Sequence, residues 1–195
     1  RLRWLGLRAT GEVRFESGHR VGYRADGAAL RGRETVTPFS ETDDGSLSAG
    51  NSTERRVRAS AWDIGTYWRL PGDMRPTFSL GLANGSGGTD TDTERNFRQT
   101  GLQENKGRVA GVKRLRYYGE LVDPELSNLR IATIGFGMRF LDNSSIELLQ
   151  HQYRQQVASS TFRGSRLSED PQGTNRDIGR SIDLFIAIRE SRRAE

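Results

Sequence analysis

Cysteine is absent from the 195 residues, lysine occurs only at Lys106 and Lys113, and there are five prolines. The missing thiols exclude disulfide scaffolds, thiolate metal sites and cysteine nucleophiles together. No stretch approaches the ~18 consecutive apolar residues of a membrane-spanning helix, so helical membrane proteins are excluded as well. Leu, Ile, Val and Phe together number 42. That fraction sits just above the level at which a highly charged chain stays disordered, and a conventional thick core is not expected. Helix signals are scarce too, because 23 glycines are scattered through nearly every candidate segment and apolar residues recur at spacing two rather than three or four.

Arginine is abundant. It supplies 28 of the 30 basic residues, against 25 acidic ones, for a net charge of +5. Guanidinium pairs bidentately with flat anionic groups, so nucleic acid, anionic lipid and acidic polysaccharide are the partner classes this bias admits.

Period-two segments dominate. Ile182, Leu184, Ile186 and Ile188 alternate with Asp183, Phe185, Ala187 and Arg189, and Ala132, Ile134, Phe136, Met138 and Phe140 alternate with Thr133, Gly135, Gly137 and Arg139. Leu5, Leu7, Ala9, Val13 and Phe15 do the same against Gly6, Arg8, Thr10, Glu12 and Arg14, as do Trp62, Ile64 and Trp68 against Asp63, Gly65, Tyr67 and Arg69. Segments of about ten residues, apolar on one side and polar with Gly on the other, are the signature of a transmembrane β-barrel. Aromatics toward the strand ends and an alternation of short and long connections favour the barrel over a water-soluble sandwich.

Short links run Glu16 to His19, Pro71 to Pro76 and Asp142 to Ser145; long polar ones run Glu34 to Arg56 and Ala158 to Asn175. Counting the evident strands puts the last long loop on the wrong side, and an extra strand over 96–103 restores parity. The expectation is an all-β, antiparallel transmembrane barrel segment of about nine strands, over 1–15, 20–33, 57–70, 77–86, 96–103, 108–121, 129–141, 145–156 and 177–190, with short periplasmic turns and long extracellular loops. Residues 1–195 are expected to be a single domain, part of a larger barrel, since an odd strand number does not close in a bacterial single-chain barrel.

By side-chain parity the inward set includes Arg8, Arg24, Arg114, Arg116 and Arg139, interleaved with Asp26, Asp63, Glu120 and Asp183. Fixed cations in a narrow aqueous passage raise the local anion concentration, and carboxylates that partly neutralise them keep any one site from holding an anion too tightly. The bland alternative for each is a lumenal ion pair that stiffens the wall.

The runs Phe97-Arg98-Gln99-Thr100-Gly101-Leu102, Gly119-Glu120 followed by Glu125-Leu126-Ser127-Asn128-Leu129, and Asp177-Ile178-Gly179 with Asp183-Leu184 resemble the alginate export family of outer-membrane porins. The opening Trp4 to Gly11 and the run Gly85-Ser86-Gly87-Gly88 are similar to that family too. The resemblance spans nearly the whole chain, with the motifs in order. It implies a place in the second half of the family's barrel, without the N-terminal strands, the last two strands and the gating segment between them. It also implies a passive conduit in a Gram-negative outer membrane for an anionic exopolysaccharide of the alginate (polyuronate) type, with Arg114 in the lumen. Asp123 stands where the family carries a basic residue.

The implied partners are the polysaccharide, outer-membrane lipid and periplasmic export machinery, with no nucleic acid. No cofactor is expected, and His19 and His151 are too isolated to suggest a metal site. Neither a nucleophile elbow nor a serine, histidine and acid constellation is evident, so no enzyme is expected. Two alternatives stay open: a general anion or nutrient porin of the same fold, and a soluble all-β, Arg-rich binding protein for acidic glycan or nucleic acid.

Overall fold

The computed structural model describes residues 1–42, 45–88, 90, 92–99, 105–167 and 170–189. Its strands are β1 (Leu2–Arg14), β2 (Arg20–Val36), β3 (Phe39–Glu41), β4 (Leu47–Ala49), β5 (Thr53–Arg69), β6 (Thr77–Gly85), β7 (Thr93–Glu94), β8 (Lys106–Gly107), β9 (Leu115–Arg116), β10 (Leu129–Leu141), β11 (Ser144–Gln155) and β12 (Asp177–Ala187). Among the described residues there is no helix.

Seven long strands form one antiparallel sheet in the order β1-β2-β5-β6-β10-β11-β12, and β7 adds a short parallel pairing to β5. The sheet is all-β and antiparallel along its length, as expected, and it is open, with β1 and β12 at its edges. The connections alternate without exception: short between β1 and β2, β5 and β6, and β10 and β11, and long between β2 and β5, β6 and β10, and β11 and β12.

Two expected strands differ. Residues 95–99 are irregular, and the remainder of the 96–103 stretch lies outside the described residues. Over 108–121 only Leu115–Arg116 is extended, paired with Lys106–Gly107 in a minimal hairpin. The parity problem is therefore solved by removing a strand rather than adding one. The physical reason is a run of strand-breaking features through this stretch. Gly119 has φ +93°, Asp123 and Asn128 also have positive φ, and Pro124 has no N–H for a ladder.

Antiparallel pairing puts residues in common rows across the sheet, and alternate rows face opposite ways. Val13, Val21, Trp68, Phe78, Phe136, Leu148 and Leu184 form one such row on the outer face. In it Trp68, Phe78 and Phe136 make successive ring contacts at 6.4 and 5.1 Å. The outer face is apolar and open, with Leu7 79% and Ile182 70% exposed. The opposite, inner face carries Arg8, Asp26, Asp63, Ala83, Ile131 and Tyr153 in one row.

That inner face is covered by the chain's own long connections. Phe97, Tyr118, Val122 and Leu126 from the β6–β10 connection and Phe162 from the β11–β12 connection pack on Leu30, Val57, Ala59, Ala61, Ala83, Leu129, Ile131 and Tyr153. The core thus lies between one side of a sheet and an inserted segment, which is how a chain so poor in aliphatic residues still buries apolar surface.

Candidate functional site

The described residues of the β6–β10 connection lie along the inner face, 92–99 toward the long-loop end, 108–112 at the short-turn end and 118–128 back toward the long-loop end. At the short-turn end the Ala110 amide donates to Glu147 Oε1 at 3.0 Å, the Val112 amide to Ser145 Oγ at 3.0 Å, and the Arg69 guanidinium to the Val109 carbonyl at 2.9 Å. Gly111 sits so close to the sheet that a Cβ there would run into the Glu147 carboxylate and the Ser145 hydroxyl. Midway, Tyr118 donates to Asp63 at 3.1 Å, Tyr153 donates to the Tyr118 carbonyl at 2.8 Å, and the Glu120 amide donates to Asp183 at 3.0 Å. Burial, with Asp63 beside it, pushes the Tyr118 phenol well above its ordinary pKa, so it remains a donor. Near the long-loop end Arg98 forks onto Glu34 at 2.6 and 2.8 Å, and Arg55 bridges Glu34 and Glu94 at 3.4 and 3.1 Å.

The residues expected to face inward occupy this interface in different ways. Arg8 holds Asp26 at 2.5 Å, and Arg24 holds Asp63 at 3.1 Å while its guanidinium lies 3.8 Å from the Tyr117 ring centre. Asp183 is on β12, close to the buried His151 at 3.4 Å, and takes the Glu120 amide. The His151 ring is hydrogen-bonded to the Thr133 hydroxyl at 2.9 Å. Among the described residues no group of three or more metal-binding side chains comes together.

Arg114, Arg116 and Glu120 are on the inserted segment, outside the long strands of the main sheet, so that sheet's parity does not set their direction. Arg116 is ion-paired with Glu120 at 3.2 Å and also with Asp123. Asp123 therefore serves as a counter-charge to a neighbouring cation. Arg114 is exposed and donates to the Lys106 carbonyl at 3.4 Å. Arg139 points inward from β10; among the described residues it has no ion-pair partner, and Arg69, Arg75 and Arg108 lie within electrostatic reach.

Reasoning from strands alone missed Tyr118, Glu147, Tyr153, Arg69 and the Glu34–Arg98 fork. A signal was present for the first two. Gly107, Gly111 and Gly119 with Pro124 mark a segment that packs closely on its surroundings, and a carboxylate on an inward position of β11 is the kind of acceptor such a segment requires.

An open antiparallel sheet with short turns at one end, long connections at the other, an apolar outer face and an Arg-rich inner face that its own loop occupies defines a segment of the β-barrel class. The family model described as "Alginate export" matches residues 1–195, and the chain belongs to that family. Over 187 residues it is 30% identical to the alginate production protein AlgE of Pseudomonas aeruginosa, covering 95% of this chain and 37% of that protein. It is 27% identical over 148 residues to the alginate production protein AlgE of Azotobacter vinelandii, covering 71% of this chain and 30% of the relative. The chain thus spans about a third of the length of the curated relatives it matches, 37% of one and 30% of the other.

Proposed function

We propose that this chain forms part of a Gram-negative outer-membrane porin that passively exports an anionic exopolysaccharide of the alginate type. The observation that carries the reading is the separation of faces: a one-sided apolar exterior, and an interior whose cations are interleaved with acids. An apolar face this open has outer-membrane lipid as its natural solvent, and its aromatic row near the short turns suits an interfacial girdle. A soluble binding protein would leave the same surface against water, where patches of that size promote association.

Conduction of a charged chain needs no catalytic residue. Fixed guanidiniums lower the barrier to carboxylates, and neighbouring Asp26, Asp63, Asp123 and Asp183 limit how tightly any one site holds. On this reading Arg8, Arg24, Arg114, Arg116 and Arg139, with Glu120, line or frame the path. Periplasmic export machinery would meet the short-turn end. A general anion porin of the same fold would share the electrostatics but not the response to uronate.

The test is the reversal potential of the full-length polypeptide in a planar bilayer under a salt gradient, with and without mannuronate oligomer. Anion selectivity that falls when the oligomer is added supports export. Anion selectivity indifferent to it supports the general porin, and cation selectivity removes the anionic cargo altogether.

A further inference from the structure

The arginines of the inner face divide into two populations. Arg8, Arg24 and Arg116 each have a carboxylate within ion-pair distance. Toward the short turns the balance reverses. Arg14, Arg20 and Arg69 stand directly opposite one another in register across β1, β2 and β5. Like charges so placed repel. Glu12 serves Arg14 at 2.8 Å and Arg20 at 3.8 Å, and among the described residues Arg69 meets the Val109 carbonyl, the Thr77 hydroxyl and the face of Tyr67 at 5.3 Å but no carboxylate within ion-pair distance. Arg139 follows on β10, and its amide donates to the Met74 carbonyl at 2.7 Å, which fixes the turn bearing Arg75 beside it. The inserted segment delivers Arg108 to the same place. Among the described residues Arg69, Arg75, Arg108 and Arg139 have no carboxylate partner within ion-pair distance. The acid among them is Glu147, and one of its oxygens already accepts the Ala110 amide.

Such a cluster is costly to assemble, since each guanidinium raises the energy of the others. Arg75 and Arg108 are exposed and Arg69 and Arg139 are half-buried, so an incoming anion can reach them. Arg108 also lines a cleft of about 300 Å³ that leads inward past Tyr67 and Tyr117 to Arg24.

We infer that Arg69, Arg75, Arg108 and Arg139 form a carboxylate-binding mouth at the short-turn end, where successive uronates of an anionic polysaccharide first engage the protein. The inference rests on the export reading above and assigns the binding step to this cluster rather than to the carboxylate-paired arginines deeper in. Those paired guanidiniums hold the inserted segment and the wall, and offer a passing chain only the hydrogen-bonding capacity their partners leave. The mouth is a different kind of site. Several unpaired guanidiniums present a multivalent surface to a polymer whose charge repeats along its length, so that contact with one monomer places the next at high effective concentration.

The test uses the full-length detergent-solubilised protein, with mannuronate oligomer as the calorimetric titrant and thermal unfolding measured in parallel. For the R108Q/R139Q double variant we expect oligomer binding weakened about tenfold or more, as befits two lost charge-assisted contacts. We expect its Tm unchanged or raised, because repulsion has been relieved. For R33Q, at an arginine outside the proposed path whose exposed guanidinium pairs with Glu54, we expect binding changed less than about threefold. Equal loss in both variants, or a larger loss in R33Q, overturns the mouth while leaving export standing. A lowered Tm with unchanged affinity in R108Q/R139Q shows the cluster to be structural and overturns it too. If the unmodified protein takes up no oligomer and its bilayer current ignores it, the polyuronate reading falls and the mouth with it.

Discussion

Tyr118 reaches across from the inserted segment to donate its phenolic hydrogen to Asp63 on β5 at 3.1 Å, joining two residues 55 positions apart. Asp63 is at the same time the partner of Arg24, whose guanidinium lies over the neighbouring Tyr117. One carboxylate thus ties together a strand cation, an inserted tyrosine and the face of the next ring. Such shared acceptors set the position of the whole segment, because moving it would strand a buried acid.

Tyr118→Phe keeps the ring in the buried cluster but removes the donor to Asp63. The expected cost is about 1–3 kcal/mol of segment docking, the penalty of a buried acceptor left short of a partner. Limited proteolysis checks it: cleavage within 105–128 should accelerate in the variant while the strands remain protected. An unchanged cleavage rate would show that the apolar contacts alone hold the segment.

Gly111 tests the other end of the insertion. A Val there brings a branched side chain into the Glu147 carboxylate and the Ser145 hydroxyl, neither of which has room to withdraw without losing its bond to the segment. The expected outcome for Gly111→Val in the full-length protein is a displaced segment, read as a larger and noisier single-channel current than the parent's. A quiet, unchanged current would place the conduction path elsewhere than along this interface.

The sheet was legible because its chemistry is local. Period-two alternation places Ile134 and Leu184 outside and Asp63 and Asp183 inside without reference to any distant residue, and those faces are as expected. The inserted segment was not, because Leu115-Arg116-Tyr117-Tyr118 alternates much as a strand does. What decides its fate is non-local: Asp63 on β5, Glu147 and Tyr153 on β11 and Asp183 on β12 offer it acceptors and donors that a ladder would otherwise supply. The glycines at 107, 111 and 119 carried the clue, as close-approach positions and, at Gly119, as a positive-φ break in the strand as well. The same blindness hid the division among the arginines, since pairing Arg8 with Asp26 or leaving Arg139 unpaired depends on register and on the insertion together.

Glu34 anchors the insertion where it leaves the long-loop end, accepting both fork bonds of Arg98 and a third from Arg55. Glu34→Gln preserves the shape but loses the charge. With Arg98 partly solvated, the expected loss is about 1–2 kcal/mol, seen as faster hydrogen exchange of the amides at 92–98 with little change in β10 or β11. Uniformly faster exchange through the sheet would mean that the fork stabilises the fold as a whole.

The outer face separates a membrane barrel from a soluble protein by a single substitution. Ile134 and Leu184 are 58% and 60% exposed, on strands far apart in the sequence, and neither takes part in the buried cluster. If the face meets lipid, Ile134→Arg costs about 2–4 kcal/mol when the position lies near the bilayer midplane, and less near an interface. The full-length variant should therefore still fold in lipid vesicles, with its unfolding free energy lowered by that amount and its urea midpoint lowered in proportion. Solvent-facing in a water-soluble protein, the same arginine would cost nothing measurable and would improve solubility without detergent. Covered by a partner sheet, it would prevent folding altogether. A midpoint unmoved by either Ile134→Arg or Leu184→Arg would end the membrane reading of this face, whatever the inner arginines bind.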